Sequence, residues 1–104
     1  MQPVQRMSQP QLQRHIRWLA RDSASVMFTE HVLVRMRQRR ILQIEVLDVL
    51  RQGRLAGTPE PNAAKGSLEC RMQRFLAGRE LGVVAAVSED YPGVVVVTAM
   101  VVER

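Results

Sequence analysis

Three residues that could carry out chemistry, His31, Arg35 and Arg39, follow one another at intervals of four. Because an α-helix turns about 100° per residue, each interval moves only about 40° around the axis, and the three side chains form one slanting row. The apolar residues Val32 and Met36 mark the buried side of the same helix. The row therefore lies along the border of that buried side, with His31 the most exposed member and Arg39 against the edge of the core.

This row suits the chemistry of RNA phosphates. Metal-free cleavage of RNA needs a base for the 2′-hydroxyl, an acid for the leaving 5′-oxygen and cations for the charge on the phosphorus centre. Histidine titrates near neutrality and can act as base or acid, and arginine forks can clamp a phosphate. The structural alternative is a solvated helix face whose arginine stems cover the edge of the core. The spacing alone leaves both interpretations open.

The charge distribution of the chain also favours a partner that carries phosphates. The 104 residues include 15 Lys and Arg against 10 Asp and Glu, a net charge of +5. Most of the excess lies before Ala56, and arginine is better suited than lysine to forked contacts with phosphate. Nucleic acid is therefore the expected partner, bound by Arg35, Arg37, Arg39 and Arg40. A basic, merely solvated surface is the alternative.

Other features exclude several classes of protein. The single cysteine, Cys70, lies in an alternating apolar pattern that predicts a buried, inert thiol. With one Cys and two His, we expect no disulfide, metal or other cofactor. The polar residues 1–8 do not resemble a signal peptide, and the apolar stretch 94–102 is too short to span a bilayer. We therefore expect a cytoplasmic protein with no membrane partner.

The first half of the chain has helical periodicity. Residues 1–9 are expected to be a frayed tail, and 22–25 a linker. The helix at 10–21 has Ser8 as its cap, and the row lies on the next helix, which Thr29 caps. In the third helix, Ile44, Leu47 and Leu50 are expected on the buried face with Val46 flanking them, and Gly53 ends the helix. The predicted helices cover 10–21, 29–40 and 42–52.

The second half changes to the period of strands. An edge strand at 54–58 is followed by a loop at 58–66 that contains Pro59. Three antiparallel strands are then predicted, around 68–72, at 80–87 and at 94–102. The chain is thus predicted to be α+β, with two to three N-terminal helices on a three- to four-stranded antiparallel sheet. The last strand is apolar on both sides, as in a central strand or in one covered by a second copy of the chain.

The run from Phe28 to Ile41 resembles the opening signature of a family of small bacterial domains of unknown function. The shared pattern is His, three residues, Arg-Met, two residues, Arg, one residue, Ile. That family is similar to the BrnT and RelE ribonuclease toxins, which pack helices on an antiparallel sheet. The resemblance implies an N-terminal tail and extension helix at 1–27 and a ribonuclease-toxin-like domain at 28–104.

The resemblance also implies a function. His31, Arg35 and Arg39 would line the active cleft of a metal-independent endoribonuclease, and Thr98 would face them from the last strand. RNA would be the substrate and an antitoxin the natural partner. Two alternatives use the same fold, a non-catalytic module that binds RNA or protein, and a homo-oligomeric structural protein.

For two further side chains, Glu69 and Tyr91, the sequence allows a structural or a functional role. Glu69 is expected to face solvent from its strand, with a role as a second acid–base group as the alternative. Tyr91, in the turn at 88–93, is expected to be a loop anchor, with stacking on a nucleobase as the alternative. No role is assigned to His15.

Overall fold

The computed structural model describes residues 3–103, in which three α-helices pack on one face of a five-stranded sheet. The helices are α1 (Gln9–Ala20), α2 (Glu30–Arg39) and α3 (Gln43–Gln52). The strands are β1 (Val26–Phe28), β2 (Arg54–Asn62), β3 (Ser67–Leu76), β4 (Arg79–Ser88) and β5 (Val94–Val101). The α+β class and the three helices are confirmed. None of the helices in this part of the chain is long and apolar enough to cross a membrane.

The sheet differs from the predicted one in strand number and direction. Its order is β1-β5-β4-β3-β2, and every neighbouring pair is antiparallel except β1 with β5. In that parallel pair Val26 lies beside Val94 and Phe28 beside Val96. A strand of three residues is too short to show a period of two, and its partner lies far along the chain, so local pattern did not predict it.

The predicted loop at 58–66 is wrong at its start, because β2 continues to Asn62 through Pro59 and Pro61. β2 is an edge strand, where a proline without an N–H group can be accommodated. Its pairing with β3 is irregular between Ala56 and Glu60, and Gly57 there has a φ of 77°. The bulge lets the strand pass its prolines and resume pairing.

The expected frayed tail is also wrong for the described residues 3–9. Val4–Arg6 form a 3₁₀ turn, and Val4 is only 4% exposed. The Val4 N–H donates to Glu89 Oε1 at 2.5 Å, which fixes the turn against the β4–β5 connection. Ser8 caps α1 as predicted, because its Oγ accepts from the Gln11 N–H at 3.3 Å. Residues 1 and 2 lie outside the described residues.

In α3 the observed buried face differs from the predicted one at Ile44. Ile44 is 71% exposed, whereas Val46, Val49 and Leu50 are fully buried. These three residues have the i, i+3, i+4 spacing of one helix face, and Ile44 falls outside it. Of the three expected residues, Leu50 lies in the core and Leu47 packs against it, and only Ile44 is wrongly placed.

The core lies between the helices and one face of the sheet. Buried apolar side chains alternate along β3 (Leu68, Cys70, Met72) and β4 (Leu81, Val83, Ala85, Val87), so the side chains between them lie on the second face. That second face, here called the open face, has no helix over it within residues 3–103. It includes the half-buried residues Val84, Ala86, Val95 and Met100. β5 is thus apolar on both sides, as the sequence predicted.

Candidate nucleic-acid interface

The helix α2 follows directly from β1 and has defined ends. At its start, Thr29 Oγ1 accepts from the Val32 N–H at 3.2 Å, which confirms the predicted cap. At its end, Arg40 adopts a left-handed conformation with φ 56°. The Ile41 N–H then donates to the Met36 carbonyl at 2.8 Å. These contacts satisfy backbone groups at both ends of α2 and fix its length.

The predicted row divides into two parts in the structure. His31 and Arg35 are exposed, and neither makes a hydrogen bond or ion pair within residues 3–103. Arg39, by contrast, donates from Nη1 to the Ala99 carbonyl at 2.7 Å. His31 and Arg35 are therefore available to a ligand, and Arg39 also binds the helix to the sheet.

The Arg39 contact lies at an edge of the sheet. β1 pairs with β5 only through Val96, so no strand among residues 3–103 lies beside the rest of β5 on that side. An unpaired strand edge exposes backbone donors and acceptors. Arg39 supplies a donor to one carbonyl there, at Ala99. α2 is thus linked to the part of β5 that β1 leaves uncovered.

Thr98 is half-buried on the open face, where it pairs across the sheet with Val84. The next residue, Ala99, is the one whose carbonyl Arg39 binds. Within the described residues, no hydrogen bond joins the Thr98 side chain to the row. The Thr98 side chain thus lies on the sheet face opposite the helices, and only the backbone of its neighbour Ala99 contacts the row. The catalytic role of Thr98 stays a prediction.

Arg79, on β4, secures the C-terminal end of α2. Its Nη1 donates to the Arg39 carbonyl at 3.1 Å, and its Nη2 donates to the Arg40 carbonyl. The same Nη2 lies 3.2 Å from Glu45 Oε1, in an ion pair that is mostly buried. The sequence offered no signal for this residue, since its partners lie about 40 positions earlier.

Arginines elsewhere in the fold also bind backbone carbonyls. Arg17 Nε donates to the Gly53 carbonyl at 2.9 Å, and Arg51 Nε donates to the Ala20 carbonyl at 2.7 Å. Arg37 and Arg40 differ, because their exposed guanidinium groups have no partner in the described part of the chain. The structure therefore separates arginines that stabilise the fold from arginines of the α2 region that project into solvent.

The remaining sequence candidates lie away from the row. Cys70 is buried as predicted, and its burial raises the pKa of the thiol to about 11. Glu69 is half-buried and accepts from Asn62 Nδ2 at 3.1 Å. The His15 ring stacks on Trp18 with 6.5 Å between centroids. Within residues 3–103, no three His, Cys, Asp or Glu side chains come together as a metal site.

The fold and the row define a small α+β domain that fixes a basic helix along a partly uncovered sheet edge. Residues 28–101 match a family model described as Domain of unknown function (DUF4258). The chain belongs to that family, and the match begins at Phe28, at the end of β1. No curated protein and no solved structure matches the chain.

Proposed function

We propose that this domain binds RNA through the basic surface of α2, in the manner of the ribonuclease toxins that its sequence resembles. The observation that carries the proposal is a set of exposed guanidinium groups that have no partner within residues 3–103. Arg35 lies on the row, and Arg37 and Arg40 lie on the other flank of the helix. A guanidinium presents parallel N–H donors that match two oxygens of a phosphate. An antitoxin with an acidic surface would compete for the same groups in the cytoplasm.

The fixed ends of α2 support this function. The Thr29 cap and the Arg79 contacts hold the helix in place before any ligand arrives. A rigid surface loses little conformational entropy when it binds, so more of the contact energy contributes to affinity. Glu30 is the acidic residue of α2, and it lies at the end of the helix away from Arg39 and Arg40.

The test is the affinity of the full chain for a fluorescent single-stranded RNA at several salt concentrations. We expect Arg35→Ala to weaken binding and to reduce the slope of log K against log salt by about 0.7, the value for one lost phosphate contact. Arg14→Ala is the matched control, because Arg14 is an exposed α1 arginine without a partner in the described residues. Equal effects of the two variants would contradict the proposal.

Cleavage of the bound RNA is a second candidate function. It is favoured by His31, whose exposed imidazole lies one turn from Arg35 on the same row. In this hypothesis His31 acts as base or acid and Arg35 stabilises the charge on the phosphate. Arg39 would contribute with the guanidinium nitrogens that do not bind Ala99. Thr98 lies on the open face, so it would assist only a substrate that passes around the edge of β5.

Cleavage can be separated from binding with His31→Ala. We expect the purified wild type to cleave RNA in the presence of EDTA, and the variant to bind RNA with unchanged affinity but not to cleave it. His15→Ala is the control, since His15 lies on α1 in a stack with Trp18. A wild type that leaves RNA intact, or a fully active His31→Ala, would remove the catalytic role and leave RNA binding as the function.

A further inference from the structure

A cavity of about 160 Å³ lies on the open face, between the turn before β3 and the turn before β5. Its floor is formed by apolar side chains of two neighbouring inner strands. These are Ala86 on β4 and Val95 and Val97 on β5. Tyr91 lies in its wall and Lys65 at its rim. The cavity thus combines an apolar floor with an aromatic ring and a cation.

Ser67 also lines this cavity, and its hydroxyl has no hydrogen-bond partner within the described residues. The residue is only 8% exposed. A buried hydroxyl that is left unpaired is costly, and buried polar groups in native proteins nearly always have a partner. The Ser67 hydroxyl oxygen is itself buried, so it lies beneath the cavity surface, and Glu69 and Tyr91 are the side chains that a ligand would meet.

Glu69 determines which hydrogen-bonding groups a ligand of this cavity must have. Its side chain lines the cavity on the same sheet face as Ala86, with which it pairs. Asn62 Nδ2 donates to its Oε2 at 3.1 Å, which orients the carboxylate and leaves Oε1 as an acceptor. An ionised carboxylate only accepts hydrogen bonds, so the ligand must present N–H or O–H donors.

We propose that this cavity binds a guanine base of single-stranded RNA, an inference that rests on the proposed function of α2. The guanine ring packs on Ala86 and Val95 beside Tyr91, as unstacked bases pack on aromatic and apolar side chains. Its adjacent N1–H and 2-amino groups donate to Glu69. Adenine places the N1 acceptor at that edge, where it would face the carboxylate.

The size and position of the cavity fit one base of a bound strand. Its volume is below the roughly 300 Å³ at which sites for drug-sized ligands begin, so it suits one small ring system. Met27 of β1 pairs with Val95 of the cavity floor, and α2 begins three residues after Met27. The cavity and the first turn of α2 thus lie on neighbouring elements but on opposite faces of the sheet, so one strand that occupies both passes around the β1 edge.

The experiment uses the ¹⁵N-labelled full chain titrated with guanosine and, separately, with adenosine. Neither nucleoside carries a phosphate, so the result does not depend on the arginines of α2. We expect guanosine to shift the amide signals of Ser67, Glu69 and Tyr91, and to bind about tenfold or more tightly than adenosine, because a hydrogen bond to a charged group is worth about that factor.

Two variants assign the preference to the cavity. Glu69→Gln retains an oxygen for Asn62 to donate to but loses the charge, and we expect it to weaken guanosine binding about tenfold. Glu60→Gln is the control, because Glu60 lies directly opposite Glu69 on β2 but does not line this cavity.

The inference is overturned if the chain binds both nucleosides equally, if it binds neither, or if Glu69→Gln behaves like Glu60→Gln. Each of these results leaves the Arg35 experiment on phosphate contacts intact, so RNA binding by α2 would stand. Conversely, guanosine binding that depends on Glu69 supports the base site even if Arg35→Ala has no effect on RNA affinity.

Discussion

At the scale of single residues, two arginines of the row differ in what they contact although they lie one helical turn apart. Arg35 projects into solvent, and Arg39 donates to the Ala99 carbonyl. Helix geometry predicted that Arg39 lies nearer the core, because each step of four residues rotates about 40° toward it. The identity of the carbonyl was not predictable, since it depends on how far β1 extends along β5.

The burial of Ser67 was also not predictable from the residues around it in the sequence. The alternation of Leu68, Cys70 and Met72 predicted the buried face of β3 and the buried thiol, and both are confirmed. Ser67 lies on the other face, where such a position is usually solvated. It is buried although it lies on the open face, at the end of the sheet where Lys65 and Tyr91 also line the cavity. Local pattern carries no signal for that burial.

At the scale of elements, α2 depends on a contact from the sheet. Arg79 donates to the carbonyls of Arg39 and Arg40, where α2 ends in a left-handed residue. Helix propensity, the Thr29 cap and the apolar spacing predicted the existence and extent of α2. They did not predict how its last turn is held, because Arg79 comes after two intervening strands. Ile44 shows the same dependence, since tertiary packing leaves it exposed although Leu47 and Leu50 of the same predicted face contact the core.

We expect Arg79→Ala to loosen the last turn of α2. The variant loses two hydrogen bonds from a charged donor and the ion pair with Glu45, and Arg79 retains 27% side-chain exposure. The free energy of unfolding should fall by about 1–2 kcal/mol. Hydrogen exchange should accelerate at the amides of the last turn of α2 more than at those of its first turn.

The control for this prediction is Arg71→Ala. Arg71 is an exposed arginine of β3 with no hydrogen-bond partner in the described part of the chain. Its removal should change the free energy of unfolding by about 0.5 kcal/mol or less. Similar exchange rates at the last turn of α2 in both variants would show that Arg79 does not hold that end of the helix.

At the scale of the whole molecule, α1 belongs to the same core as the rest of the chain, although the DUF4258 match begins only at Phe28. Leu12 and Ile16 are 2% and 0% exposed. Two reciprocal contacts join α1 to α3, from Arg17 to the Gly53 carbonyl and from Arg51 to the Ala20 carbonyl. The sequence predicted the apolar face of α1 but not its partner.

Ile16→Ala tests whether α1 and the family domain unfold together. A fully buried isoleucine replaced by alanine should lower the free energy of unfolding by about 2–5 kcal/mol, whereas Arg14→Ala on the exposed side of α1 should change it by about 0.5 kcal/mol or less. Trp18 is the single tryptophan and lies on α1, so its fluorescence reports on that helix. Circular dichroism reports on all helices and strands.

In urea, we expect the fluorescence and dichroism transitions of the wild type to coincide, and both to move to lower urea in Ile16→Ala, because one core spans α1, α3 and the sheet. A fluorescence transition that precedes the dichroism transition would contradict this and show that α1 detaches first. The domain would then begin near Phe28, where the family match begins, and α1 would be an extension that the remaining core does not require.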